Sequence, residues 1–395
     1  MSQQSLPGAR RLLVMVPMVG RDPEEPHRAA TPLELFFDLV FVAAVAFASE
    51  RLHYGLAEGH VGEAVLSFAM VFFAIWWAWM NFTWFASAYD TDDVIYRVFV
   101  FVTMTGALIL AAGVPLAFDE RRYGVVVLGY VVMRVALVTQ WIRAARHDAD
   151  RHTTASRYAI GVSALQVGWI AAAIWFQDWW LWAWAVLGPL ELLVPVWAEA
   201  ASLTTWNAEH IAERYGLFMI IVLGESVLAA TIAIQSAATE VGLTAELVPI
   251  VVGGLLILFS LWWLYFDRPR DHLLVMTKAV FVWGYAHLVV FASAAAVGSA
   301  LALAIDDASN HMELGSAGVG LATAVPVSLF LFSIWGLHVH AADPPLRKYG
   351  APVAAILSLA AAFTGQAVLL VGLILVGYVA LKAGARIREG REIAT

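Results

Sequence analysis

The sequence predicts an all-α, polytopic integral membrane protein of about twelve transmembrane helices, and three observations carry that reading. Apolar stretches long enough to cross a bilayer recur from Leu33 to Leu381. Of the 395 residues, 61% are hydrophobic and only 14% charged, far from the balance of a soluble domain. The cationic residues fall almost wholly on alternate connections between the apolar stretches.

The spans are read at 33–52, 62–88, 94–118, 122–143, 156–176, 179–198, 210–235, 245–266, 272–304, 315–340, 350–364 and 366–384. The first opens with Thr31-Pro32-Leu33-Glu34, a capping box in which Glu34 reaches back to the Thr31 amide. Asp38 lies one turn deeper, about 6 Å further along. No capping role reaches it, and a bare carboxylate in hydrocarbon is costly. It needs a cation, a water-filled path or the bundle interior. The second span holds Trp76 and Trp77 deep enough to pack between helices. The third follows Tyr89-Asp90-Thr91-Asp92-Asp93, a helix start capped by Thr91 or Asp90.

Arg134 sits mid-way along the fourth span. The fifth and sixth meet in a run of Trp175, Trp179, Trp180, Trp182 and Trp184, which suits an interfacial belt. Glu191 lies in the sixth between Pro189 and Pro195, two residues that break or kink a helix. The seventh opens Asn207-Ala208-Glu209-His210-Ile211-Ala212-Glu213-Arg214. His210, Glu213 and Arg214 share a helix face there, as an interfacial polar cluster beside Glu34. Gly224-Glu225-Ser226 follows, with Glu225 about 18 Å beyond Glu213 and so near the bilayer midplane. Asp267-Arg268-Pro269-Arg270-Asp271 after the eighth span reads as a solvated turn. His287 is mid-way along the ninth, either titrating or simply bonded to a carbonyl.

Charge sets the orientation. With the N-terminus inside, Arg10, Arg11, Arg21, Arg28, Arg97, Arg143, Arg146, Arg151, Arg157, Arg214, Arg268, Arg270, Lys278, Arg347, Lys348, Lys382, Arg386, Arg388 and Arg391 are cytoplasmic. The other face holds only Arg51, Arg121 and Arg122, against nineteen. The acids Glu240, Glu246, Asp306, Asp307 and Glu313 also fall outside. Both termini are therefore expected in the cytoplasm, flanking a multi-pass membrane protein. The segment before Thr31 lacks a signal-peptide pattern and is read as a tail.

The net charge of −8 speaks against nucleic acid. The absence of cysteine excludes disulfides and thiol chemistry. No phosphate loop, nucleophile elbow or paired metal motif stands out, so neither cofactor nor metal is expected. The expected partners are the lipid bilayer and a small solute or ion.

The chain also repeats itself. Glu34 within Pro32–Asp38 matches Glu213 within Ile211–Leu217, Ile75-Trp76-Trp77-Ala78-Trp79 matches Leu261-Trp262-Trp263-Leu264-Tyr265, and Val94–Phe99 matches Val275–Val280. The order is the same each time, which points to a six-plus-six duplication. Six is even, so the halves run parallel about an axis along the membrane normal. The boundaries are a tail at 1–31, repeats at 32–200 and 201–385, and a tail at 386–395.

Leu33-Glu34-Leu35-Phe36-Phe37-Asp38-Leu39-Val40-Phe41-Val42, with Ala212–Leu217 and Leu223-Gly224-Glu225-Ser226, resembles the bacterial low temperature requirement protein A family. The resemblance runs from about Thr31 to Ala383 and implies an integral membrane protein. Phe36–Phe41 is also similar to the Phe-Ser-Asp-x-Val-Phe opening of endolysosomal potassium channels, which use six-helix repeats too. Here Phe37 stands at the serine, and Leu217 at the second-half counterpart of Asp38.

The expected site is a buried polar pathway of Asp38, Arg134, Glu191, Glu225, Ser226 and His287, with a cytoplasmic-side cluster of Glu34, His210, Glu213 and Arg214. A midplane arginine needs a carboxylate, so Arg134 is expected to pair with Glu225 first, or with Glu191 or Asp38. The expected activity is movement of a small solute or ion. A membrane-embedded enzyme or sensor using the same acid and base groups is the competing class, and a structural protein for cold adaptation the third.

Overall fold

The hydrocarbon core dictates helices, because every backbone N–H and C=O inside it must be paired within its own segment. The computed structural model describes residues 13–240, 242, 244–267, 277–310, 315–339 and 344–394. Among them are twelve α-helices: α1 (Pro32–Ala57), α2 (Val61–Tyr89), α3 (Val94–Asp119), α4 (Gly124–His147), α5 (His152–Trp175), α6 (Trp180–Glu199), α7 (Ala208–Glu240), α8 (Leu247–Phe266), α9 (Thr277–Asn310), α10 (Gly315–His338), α11 (Pro345–Ala361) and α12 (Ala367–Ala394). All but α11 contain a stretch long and apolar enough to cross a membrane. At 17 residues, α11 reaches only about 26 Å. The protein is a polytopic, all-helical membrane protein. The expectations placed on Arg10, Arg11, Arg268, Arg270, Asp271, Val275, Met276 and Glu313, and on the side chains of Glu240, Lys278 and Arg391, lie outside the described residues.

The tryptophans separate only in part as the sequence suggests, since Trp180 of the α5–α6 run is buried against Tyr123 and Trp169. Trp76 and Trp77 are wholly buried, whereas Trp175, Trp179 and Trp182 at the α5–α6 junction are well exposed. The prolines of α6 do not break it; Pro189 and Pro195 lie inside one continuous helix.

The chain divides into two compact units. The first comprises residues 1–37, 78–113 and 122–211. Within it α5 packs on α4 and on α6. Gly106 and Gly129 let α3 and α4 touch backbone to backbone, since a Cβ on Gly129 would stand 2.6 Å from the Gly106 carbonyl oxygen. The second comprises residues 38–77, 114–121 and 212–395. Within it α8 packs on α12 and α9, and α10 packs on α9, α11 and α12. Gly253 and Gly372 make the corresponding close approach of α8 to α12.

Residues 13–31 of the first unit are a packed strap rather than a loose tail. The Val16 and Gly20 amides donate to Asp93 (3.1 Å) and Asp148 (3.2 Å). Arg21 N–H donates to the Ala88 carbonyl at 2.9 Å. Arg28 donates to the carbonyls of Ser87 and Ala86, at the end of α2. Burial, then the neighbouring Arg21, lowers the Arg28 pKa. Asn207 holds the strap from the other side, its amide donating to the carbonyls of Pro23 (2.9 Å) and Glu25 (3.1 Å). The same side chain caps α7, accepting the His210 N–H at 2.9 Å.

The cap of α3 is Asp93, not Thr91 or Asp90. Asp93 Oδ1 accepts the Tyr96 N–H at 2.8 Å. Asp92 takes a positive φ of 49°, so the turn consumes two more residues before the helix begins. Burial pushes the Asp93 carboxyl up, but the Arg143 guanidinium and the amides of Tyr96 and Val16 leave it below the usual range. Asp90 goes the other way: burial, then the nearby Glu34 carboxylate, pushes it up to about 6.

Candidate functional site

Buried polar side chains in a lipid-embedded bundle are expensive, so each is accounted for by its partner. Asp38, Arg134, Glu191, Glu225, Ser226 and His287 are all buried, as are Glu34, His210 and Arg214. Glu213, three residues after His210, is exposed.

In the first unit, Thr31 and Glu34 form the expected capping box. The Thr31 amide donates to Glu34 Oε2 at 2.8 Å, and the Glu34 amide donates to Thr31 Oγ1 at 3.2 Å. The same carboxylate meets His210 on α7, with Nε2 3.2 Å from Oε1. Glu34 is thus both cap and inter-helix contact.

Deeper in that unit Arg134 of α4 is matched with Glu191 of α6, Nη2 to Oε2 at 2.9 Å. The leading expectation, Arg134 with Glu225, is therefore corrected. Trp169 of α5 donates its Nε1–H to Glu191 Oε1 at 3.2 Å, and the Arg134 guanidinium lies 5.0 Å from the centre of the Tyr130 ring. Each carboxylate oxygen has its own donor, which is what a dry ion pair requires.

In the second unit Arg214 of α7 closes on Asp38 of α1. Nε donates to Oδ2 at 2.9 Å and Nη2 to Oδ1 at 2.6 Å, a bidentate fork with both side chains wholly buried. Arg214 is accordingly an intrahelical residue in the second turn of α7, not a loop cation. Further along the same two helices Glu225 of α7 faces Ser49 of α1. The pairs 38/214 and 49/225 have one sequence offset, 176, the offset also of Glu34 and His210. Residue numbers rise together on both helices, so α1 and α7 run parallel. From Asp38 to Ser49 is about 16 Å along the axis.

Glu225 differs from the other buried acids. Among the described residues no cation comes within ion-pair distance of it, and its Oε2 is buried with no hydrogen-bond partner. Its surroundings are small and polar. Ser226 Oγ donates to the Val222 and Ala294 carbonyls, each at 3.2 Å. Ser299 of α9 donates to the Ser49 carbonyl at 2.7 Å. Gly298 makes room here: a Cβ on it would stand 2.8 Å from Ser226 Oγ. One turn beyond Ser49, His53 Nε2 stands 2.8 Å from Asp306 Oδ2 of α9.

His287 lies in the second unit. Its Nδ1 donates to the Trp283 carbonyl at 2.7 Å. Tyr215, Trp283, Tyr265 and Phe291 enclose the ring. The carbonyl-bonded alternative for this histidine is the one observed.

Sequence reasoning missed Ser49, Ser299 and Trp169. None has a local signal, since a serine or tryptophan in an apolar span looks like packing. The constant offset of 176 was available once Glu34 and Asp38 were set against His210 and Arg214 instead of against Glu213 and Leu217. Of the turn expected after α8, Asp267 alone is among the described residues. Asp267 is not solvated but buried, 2.7 Å from Lys382 Nζ and 2.9 Å from Arg386 Nη1.

Residues 29–383 match the family described as bacterial low temperature requirement A protein. A Rhizobium meliloti (strain 1021) protein named as uncharacterized protein RA0937 is 29% identical over 318 residues, covering 75% of this chain and 74% of its own length.

Proposed function

Because the chain belongs to the bacterial low temperature requirement A family, with the membrane architecture that entails, we propose that it moves a small solute or ion across the bacterial inner membrane, with Glu225 as the exchanging group. One observation carries this reading. Glu34, Asp38 and Glu191 each have a basic partner within 3.2 Å, whereas Glu225 has none among the described residues. A scaffold gains nothing from a lone buried carboxylate, which costs energy whenever it ionises. A carrier gains a site that binds a proton or a cation and gives it up again.

The parallel course of α1 and α7 supports the duplicated plan, with repeats at 32–200 and 201–385 and both termini in the cytoplasm. On that plan the two first helices of the repeats face each other, and Glu225 sits at their seam. The ion pairs Asp38–Arg214 and Arg134–Glu191 then hold the helices, and Glu225 does the exchange.

The test is flux. Purified protein in vesicles with an internal pH dye should dissipate an imposed proton gradient, alone or with a solute. Glu225→Gln should abolish the signal while the protein keeps its thermal stability. Equal flux in wild type and Glu225→Gln sinks this reading.

A further inference from the structure

Along α1 and α7, Glu225 has polar neighbours in one direction and an apolar interval in the other. Ser49 is the side chain that faces it, and the Ser49 hydroxyl is otherwise unpartnered. One turn on, His53 stands on the same face of α1, its Cβ about 6 Å from that of Ser49. His53 Nε2 is 2.8 Å from Asp306 Oδ2 of α9. His53 and Asp306 each lie four residues from the end of their helix, where α1 and α9 leave the hydrocarbon. Their side chains are 13% and 29% exposed, so the pair reaches water while Ser49 is buried.

Toward the Asp38–Arg214 fork the same two helices offer no such group. Residues 39–48 of α1 and 216–224 of α7 contain no polar side chain, and Phe41, Val45, Phe218, Met219 and Val222 are buried there. A proton needs a lone pair to rest on. Over about 16 Å no side chain of α1 or α7 supplies an oxygen or nitrogen. The other charges near the His53 end of α1 and α9 are Glu50, Arg51 and Asp307. Arg51 pairs with Asp119 at 2.9 Å. Tyr54 stacks on the His53 ring, centres 5.1 Å apart, which holds the imidazole beside Asp306.

We propose that Glu225 exchanges its proton with one face of the membrane only, the face at which α1 ends, through Ser49, His53 and Asp306. The proposal rests on the reading of Glu225 as an exchanging group and adds the route and its side. An incoming proton is taken by Asp306 and passed to His53 Nε2. The imidazolium gives its other ring proton to the Ser49 oxygen as the Ser49 hydroxyl proton moves to Glu225. One proton has then moved, leaving Asp306 ionised and His53 and Ser49 neutral. Release to the opposite face requires the helices to open the apolar interval, as alternating access demands.

The test reads the protonation of Glu225 itself, in the full-length protein in vesicles. Dicyclohexylcarbodiimide crosses membranes and adds to a carboxyl only when it is protonated; mass spectrometry reads the adduct at Glu225. The chain has no cysteine, so His60→Cys places a single thiol on the loop after α1. An impermeant maleimide then reports which side of the vesicle that loop faces. With the two sides held at different pH, at low temperature and short times, acid on the side of that loop should label Glu225. Acid on the opposite side should not. Labelling that follows the opposite side, both sides alike or neither overturns the proposal. His53→Gln/Asp306→Asn removes both relay groups together and should slow labelling after an acid step roughly tenfold or more; an unchanged rate also overturns it. Labelling needs no flux, so the two readings fail separately. One-sided labelling with equal flux in wild type and Glu225→Gln supports the route and removes the transport reading alone.

Discussion

Asp38 and Arg214 close on each other through two N–H···O bonds of 2.9 and 2.6 Å, both side chains wholly buried, from two parallel helices. Removing one partner strands the other charge, at roughly 3–5 kcal/mol. We expect Asp38→Asn and Arg214→Gln each to lower thermal stability in detergent sharply. The double variant should recover part of the loss. Additive losses would show that the fork contributes no coupling.

Arg134 and Glu191 should behave as the second coupled pair. A double-mutant cycle of Arg134→Gln with Glu191→Gln should show an interaction of about 1–3 kcal/mol. The cycle of Arg134→Gln with Glu225→Gln should be additive, because the guanidinium is matched with Glu191. Coupling in the second cycle and none in the first would overturn the pairing.

Gly298 is expected to be sensitive. A methyl group there meets Ser226 at 2.8–2.9 Å, so Gly298→Ala must push α9 off α7 beside Glu225. Stability should fall by about 1–3 kcal/mol, the usual cost of overpacking. An unchanged unfolding temperature would mean that the contact relaxes freely.

The pH response at the strap follows from Asp90. Its carboxyl is pushed up to about 6 by burial and then by Glu34. A raised carboxylate pKa favours the protonated folded state, so this contribution is complete below the unfolded value near 4. It is lost as pH rises through 6. The expected size is at most about 3 kcal/mol. Asp90→Asn should flatten the stability profile between pH 4 and 6. A profile unchanged by that substitution would remove Asp90 as the cause.

Orientation is tested by reporters. An enzyme active only outside the cytoplasm, fused after Thr395, should give no signal, and one inserted after Glu120 should give a strong one. A signal from the C-terminal fusion would break the even span count.

Helix positions were legible because bilayer thickness fixes the length of an apolar run, and each of the twelve runs became a helix. The capping box at Thr31 and Glu34 was legible because both partners are local. The demand of Asp38 and Arg134 for counter-charges was legible from the cost of burying a charge. The identity of the partners was not, since Arg214 lies 176 residues from Asp38 and the choice rests on how helices assemble. The α3 cap was misread because nothing in Asp90-Thr91-Asp92-Asp93 marks Asp92 as the residue that takes a positive φ. Glu34 was matched to Glu213 by residue type, yet it is buried where Glu213 is exposed. The geometric partner, His210, shares no chemistry with it that an alignment by similarity would reward.

The strap sets a timetable for synthesis. Residues 13–31 are made before α1, but their contacts arrive in stages: Asp93, then Arg143 and Asp148, and last Asn207. At about 5–20 residues per second the wait is roughly 10–40 s. Until then the segment lacks its last anchor, while six membrane helices are being inserted behind it. A segment made before α1 is thus among the last to settle, and a nascent chain halted before Asn207 should keep it open to protease.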